Sequence, residues 1–389
     1  MMHKNNRFLS IKFIFLFVGL ITAIHTIPAF SQSLKEIYAT GSIRFVEEMR
    51  IDESALPEGE FFGSITDIAV DEQGNVYLCD MKACNIKKFS SQGKFIKVMG
   101  RKGQGPGEFI SPSLVAASDN SLYVYDIGNR RLCSLTTEGE QINCINIPYT
   151  QGLPRKIQAL PNGNILMERE VSYFHEKDKP QDIIIQVFSS ELELKKTLFK
   201  YSVLKNIFRT INGLFSNIIQ PFSPDVYWSI VPDGKVIIGL SEDYTIQVHH
   251  PEKGPFSFNH SYKPVKVTQQ DKKKYFLNQT YNTPQGRMEI PEEIKKLTKF
   301  PRYKPAFDAL WADYEGNILV HPIQKDPEKS SPQFDAFTPQ GQFIGTVRIE
   351  EGIQSFPRRV YVDRNSLWII KRGQDGMTQA IKYKMVPGE

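Results

Sequence analysis

Eight residues spread along most of the chain carry the side chains that a small polar or zwitterionic ligand would need. They are Asp67, Ser113, Lys156, Tyr227, Trp228, Asp308, Arg358 and Arg359. Carboxylates, cations, a phenol and an indole at one place could bind such a molecule. The same residues also fit a plainer reading, as charges that satisfy one another. Either reading requires a fold that brings distant segments together.

Local signatures of catalysis are missing. The chain has no G-x-S-x-G elbow, H-E-x-x-H helix, P-loop or EF-hand loop. Gly103-Gln104-Gly105-Pro106-Gly107 has the glycine density of a phosphate loop, but no Lys-Ser/Thr follows and a strand comes next, so it reads as a connector. Beyond residue 31 the histidines are His175, His249, His250, His260 and His321, at strand ends and in loops without metal-ligand spacing. No metal site and no cofactor are predicted from them. Cys133 and Cys144 flank Thr137-Glu138-Gly139-Glu140. If Glu138-Gly139 is a two-residue turn, the two face each other across a hairpin and could form a disulfide. Cys79 and Cys84 flank a second turn, and all four cysteines could equally be small buried apolar residues. Zinc is disfavoured, since there is no paired C-x-x-C and no histidine close to these cysteines.

The segments that must position such residues repeat. Each copy has an apolar strand, a polar turn with Gly or Asn, a second strand, a gap, a third strand and a Gly turn into a fourth. The clearest copy spans 65–98, with Asp71-Glu72-Gln73-Gly74-Asn75 as its turn, and the second spans 114–145. Further copies start at 156, 227, 309 and 359. The last lacks a fourth strand, whereas residues 43–51 form a strand with no copy of its own. The economical reading is a ring in which this N-terminal strand closes the last blade as its outer edge. The chain is therefore read as an all-β, six-bladed β-propeller spanning 32–389, with insertions at about 200–222 and 262–304. The second insertion contains short helices near 268–277 and 291–297. In such a ring the first strand of each copy lines the axis. Aligning the copies on their turns places Asp67, Ser113, Lys156, Tyr227, Asp308 or Ala309, and Arg358 or Arg359 at the channel mouth, with Trp228 nearby. Tyr173, Phe174, Tyr275, Phe276 and Tyr281 lie in or near irregular segments, as core packing or as a rim for carbohydrate or peptide.

The phrase Asp67-Ile68-Ala69-Val70-Asp71, Gly74-Asn75-Val76-Tyr77, Asp80, Ile86-Lys87-Lys88-Phe89 and Gly93-Lys94-Phe95 resembles an NHL repeat. Residues 100–109 are similar to the glycine-rich join between such repeats. The likeness is strong over 65–145, fair over 305–370 and weak between. It implies an exported bacterial six-bladed propeller. Some NHL-type propellers are lyases that hold zinc with three histidines, and some six-bladed lactonases hold a divalent ion on the axis with acidic and amide groups. The resemblance thus leaves room for calcium or zinc, although fold likeness does not carry function.

The N-terminus reads as a secretory signal peptide over 1–31, with Lys4, Arg7 and Lys12 before an apolar run at 13–24 and Ala29-Phe30-Ser31 before the cut. The run is too short to span a bilayer, and no Cys follows it to take a lipid. Export to a periplasmic, cell-surface or secreted location is expected, with no transmembrane segment after cleavage. Without those three bases the remaining chain has 45 Lys and Arg against 43 Asp and Glu, a net +2. That average predicts no strong field for nucleic acid or anionic membrane. The sequons Asn259-His260-Ser261 and Asn278-Gln279-Thr280 matter only where secreted proteins are glycosylated. The leading reading is a non-catalytic binding or scaffold module contacting a protein, peptide or glycan through its loop face. The alternatives are a metal-assisted hydrolase or lyase with its site on the axis, and a structural subunit of an envelope complex.

Overall fold

Turn chemistry starts each repeat. In the first blade the Asp71 carboxylate accepts from the Asn75 backbone N–H at 2.8 Å and from its side-chain amide at 2.9 Å. Gly74 between them sits at φ +82°, where a β-carbon would be strained. Asp313, Gly316 and Asn317 repeat the arrangement in the fifth blade. Such a turn fixes the first two strands as a hairpin, and alternating apolar residues then bury both faces of the sheet.

The computed structural model describes residues 33–389 apart from 119, 177, 212, 280, 284–285, 326–330, 354–359, 364–365 and 374–375. The expected leader, the predicted site residues Arg358 and Arg359, and the Tyr281 side chain lie outside the described residues. The fold is a six-bladed β-propeller. Blade one comprises Ile65–Val70, Val76–Asp80, Asn85–Phe89 and Phe95–Met99. Blade two runs through Pro112–Ala117, Ser121–Asp126, Arg131–Thr136 and Gln141–Asn146, and blade three through Leu153–Ala159, Ile165–Val171, Gln181–Phe188 and Leu194–Val203. Blade four holds Val226–Ile230, Val236–Leu240, Thr245–His249 and Phe256–Asn259, and blade five Phe307–Ala312, Ile318–Pro322, Gln333–Phe337 and Phe343–Glu351. Blade six takes Tyr361–Asp363, Ser366–Arg372 and Thr378–Pro387, and its outer strand is Ser42–Ile51 from the N-terminus.

Six apolar clusters, one between each pair of neighbouring blades, complete the ring. The closing cluster joins Ile51, Trp368 and Ala380 of blade six to Ile65, Ile68 and Leu78 of blade one. The closing strand pairs antiparallel with Thr378–Pro387, and its first residues also bridge in parallel to Phe343–Glu351 of blade five. In blade two, Cys133 and Cys144 face each other on the third and fourth strands, with Cα atoms 4.1 Å apart, joined by a disulfide. Cys79 and Cys84 are buried thiols not joined in a disulfide.

The insertion expected from 200 begins later. The outer strand of blade three continues to Val203, because Leu198, Phe199 and Tyr201 pack on the core shared with blade four. A two-stranded hairpin then follows, Asn206–Ile211 with Leu214–Ile219. Its Ile207, Ile211 and Ile218 share one face and meet Ile294 and Leu297 of the second insertion. That insertion has helices Gln269–Leu277, capped by Thr268, and Glu292–Leu297. Pro291 is the N-cap of the second helix and not its first residue.

A short helix, Leu34–Ala39, precedes the closing strand and docks under blade five, where the Tyr38 hydroxyl donates to Asp313 Oδ2 at 3.0 Å. Burial pushes the Asp313 carboxyl up to about 6 from its usual 3.8, and hydrogen bonds from Asn317 and Tyr38 only partly offset this. A folded-state pKa above the unfolded one favours the protonated, folded form. The stabilisation is therefore complete below about pH 4 and is lost as pH rises through 6. We expect urea-unfolding free energies to show Asp313 contributing about 3 kcal/mol less at pH 7 than at pH 4. An Asp313→Asn variant should lack this component, and an unchanged gap between variant and wild type across that range would refute it.

Candidate functional site

Register shifts at the start of the inner strands decide what reaches the axis. Pairing slips between Ile65 and Asp67, Pro112 and Leu114, Pro154 and Lys156, and Phe307 and Ala309. Thr66, Ser113, Arg155 and Asp308 are therefore equivalent bulge positions, and Asp67, Leu114, Lys156 and Ala309 form the next row. The predicted mouth mixed these two rows, because a bulge moves a side chain to another direction without altering the hydrophobic pattern.

Asp67 and Lys156 do come together, in a cavity of about 100 Å³ on the axis whose walls include Ala69, Ala116, Gln158 and Tyr361. Each is already engaged. Asp67 Oδ2 accepts from the Val115 N–H at 3.0 Å. Lys156 Nζ donates to the Trp228 carbonyl at 2.6 Å and lies 4.0 Å from the centre of its ring. Trp228 is buried, with its indole N–H on Glu168 at 2.7 Å. Ser113 donates to the Tyr125 carbonyl, and the Tyr227 ring packs 5.7 Å from Phe307. Asp308 stands apart from these, paired with His321 Nδ1 at 2.6 Å.

The hub of this region is Arg155, which the aligned repeats do not single out. Its guanidinium meets Glu168 at 3.2 Å, Glu170 at 3.0 Å and Asp225 at 3.0 Å, and Lys205 also reaches Asp225. Arg155 and Lys205 thus stand among three carboxylates, with Lys156 opposite Glu168 across the strand pair, and the set ties blade three to blade four. The available signal was Glu168-Arg169-Glu170 at the end of a second strand where blades one and two have mainly apolar residues. A balanced group of this kind fixes geometry and leaves little net field for a ligand.

Among the described residues no three His, Cys, Asp or Glu side chains converge as a metal site. The histidines are dispersed. His249 contacts Gln247, His250 accepts from the backbone of Glu252 and Lys253, and His260 stacks on Phe343.

The other candidate region is the face from which outer strands cross to the next inner strand. All inner strands run the same way around the axis, so these connectors, and the loops joining second to third strands, share one face. The hairpin and the helical insertion are both connectors. They are pinned together by Tyr275 OH on the Ile219 carbonyl at 2.9 Å and the Lys299 N–H on Gln220 at 2.7 Å. Phe174, from a loop of blade three, meets Phe208 and Phe215 of the hairpin, with ring centres 4.7 to 6.3 Å apart. Phe174 is 44% exposed and Phe215 64%, so the cluster presents its rings to solvent. Beside it, the bond to Asp182 and burial push the Tyr173 hydroxyl up to about 12, so the phenol is neutral at physiological pH. Tyr275 and Phe276 instead pack against Phe300.

The family model DUF5128, described as a 6-bladed beta-propeller, matches residues 58–228. No curated protein matches the chain. A solved member of the DUF4221 family from Bacteroides vulgatus is 12% identical with a TM-score of 0.50, covering 90% of this chain and 100% of that one. A Bacteroides fragilis protein described as exported is 12% identical with a TM-score of 0.49, over 90% and 95% of the two chains. Virginiamycin B lyase from Staphylococcus aureus is 13% identical with a TM-score of 0.39, over 83% and 95%. At such identities the likeness concerns the fold alone.

Proposed function

We propose that the chain is an exported, NHL-like binding module, which contacts a peptide, glycan or partner protein through its connector face and performs no chemistry on the axis. The observation that supports this reading best is the solvent-facing Phe174, Phe208 and Phe215 cluster on a face built up by two insertions. Insertions on a rigid scaffold more often serve contact than stability. The axial cavity is small, and its charged groups have partners within the ring. Asp80 and Asp126, each bonded to backbone N–H groups of the preceding connector, support the NHL-like assignment in blades one and two.

The discriminating measurement is binding of the purified protein to arrayed glycans and peptides, with two paired variants. Replacing Phe174 and Phe215 by Ser should weaken any ligand found by about 10-fold or more, as loss of aromatic anchors does. Replacing Asp67 by Asn and Lys156 by Gln should change it less than twofold. The reverse pattern would move the site to the axis. Elemental analysis is the companion test, since one tightly held calcium or zinc ion per chain would favour the metal-assisted enzyme.

A further inference from the structure

The small net charge of the chain conceals a separation. Residues 262–304 contain eleven Lys and Arg against four Asp and Glu, a net +7, which leaves the rest of the chain beyond residue 31 at −5. In that insertion Lys263, Lys266, Lys273, Lys296, Lys299 and Arg302 are exposed. Large apolar side chains stand exposed in the same body: Leu277 at 69% and Tyr303 at 37% in the insertion, and Ile219 at 53% in the hairpin packed against it. Apolar groups this exposed, set among cations on one face of a rigid ring, are the two elements of interfacial membrane attachment.

We infer that this face docks the protein peripherally on an anionic lipid bilayer. The inference rests on the connector face being the contact surface, and it adds a lipid partner to the peptide, glycan or protein of that reading. Charge complementarity selects an anionic surface. The apolar tips select lipid over a soluble polyanion, which would engage the lysines and arginine while leaving Leu277 and Ile219 in water. A bilayer takes both, the cations at the headgroups and the apolar tips at the acyl boundary.

Residues Ser33–Glu389 form one compact unit and serve as the test protein, free of the apolar leader. It is co-sedimented with vesicles of phosphatidylcholine alone and of phosphatidylcholine mixed with phosphatidylglycerol. Binding should be confined to the anionic vesicles and should weaken at least 10-fold as ionic strength rises from about 0.1 to about 1 M, where screening shortens to about 3 Å. Reversing four charges, Lys273→Glu, Lys296→Glu, Lys299→Glu and Arg302→Glu, should cost at least about 100-fold. The pair Ile219→Ser and Leu277→Ser should cost about 10-fold while keeping the salt dependence. All six side chains are exposed, so both variants should melt with the wild type. Equal binding to neutral vesicles, no vesicle binding, or wild-type binding by the charge-reversed variant would each overturn the inference. Binding to dextran sulfate but not to vesicles, with the Ser pair indifferent, would overturn it in favour of a polyanion. The wider reading would survive that result, because it fails separately, on the response to the Phe174 and Phe215 pair.

Discussion

A chain lacking residues 33–52 should no longer fold cooperatively. The segment supplies the outer strand of blade six and the helix beneath blade five, and it buries Leu34, Ile37, Tyr38, Ile43, Phe45 and Ile51, none more than 5% exposed. Each side chain of this size contributes about 1.5–3 kcal/mol on burial, so the loss of all six removes about 9–18 kcal/mol. That is as large as the whole stability of a typical domain, about 5–15 kcal/mol. The deletion also strips the hydrogen bonds from one edge of Thr378–Pro387 and opens the cluster that joins blade six to blade one. Circular dichroism and thermal melting should show an aggregating species without a sharp transition. A truncated protein melting within a degree or two of the intact one would refute closure as the source of stability.

The second large effect is expected at Asp80. Its carboxylate accepts from the backbone N–H groups of Gly63 and Ser64 at 2.8 Å and Ala83 at 3.1 Å, and it meets Lys87 Nζ at 3.1 Å, with both side chains fully buried. Burial by itself would raise its pKa, but the three N–H groups and Lys87 outweigh it and hold the carboxyl below its usual range. Asp80→Ala leaves three amides and an ammonium buried without this acceptor, a loss of about 3–5 kcal/mol. Adding Lys87→Met should recover part of the loss, since no charge is then stranded. A denaturation cycle over the two single variants and the double variant measures this. If the double variant is as unstable as the sum of the singles, the pair is not the unit described.

Much of the ring was legible because its turns are written in residues with narrow backbone demands. Asp71, Gly74 and Asn75 announce one hairpin, and Asp313, Gly316 and Asn317 announce another. The unclaimed strand at 43–51 was legible by elimination, since the last repeat lacked a partner. The axial site was less legible for a geometric reason. A bulge adds one residue to an inner strand and turns the next side chain elsewhere, so Ser113 and Lys156 belong to different rows although the sequence aligns them. Arg155 is not singled out by the repeats because its three carboxylates come from the second strand of its own blade and from the start of the next. The hairpin after Val203 is visible in the sequence only as part of an insertion, because the apolar face of Ile207, Ile211 and Ile218 has meaning only against Ile294 and Leu297. The basic insertion was hidden by averaging, since +7 and −5 cancel over the chain.

The closing strand also sets a schedule. The Tyr38 hydroxyl meets Met385, 347 residues further on. At typical synthesis speeds of about 5–20 residues per second, the first strand made waits roughly 20–70 s for the last one. Throughout that wait Ser42–Ile51 lacks its antiparallel partner, and blade six exists only in part. The ring therefore closes only once Thr378–Pro387 has been made. Any delay late in synthesis prolongs the interval in which that strand can pair with another chain.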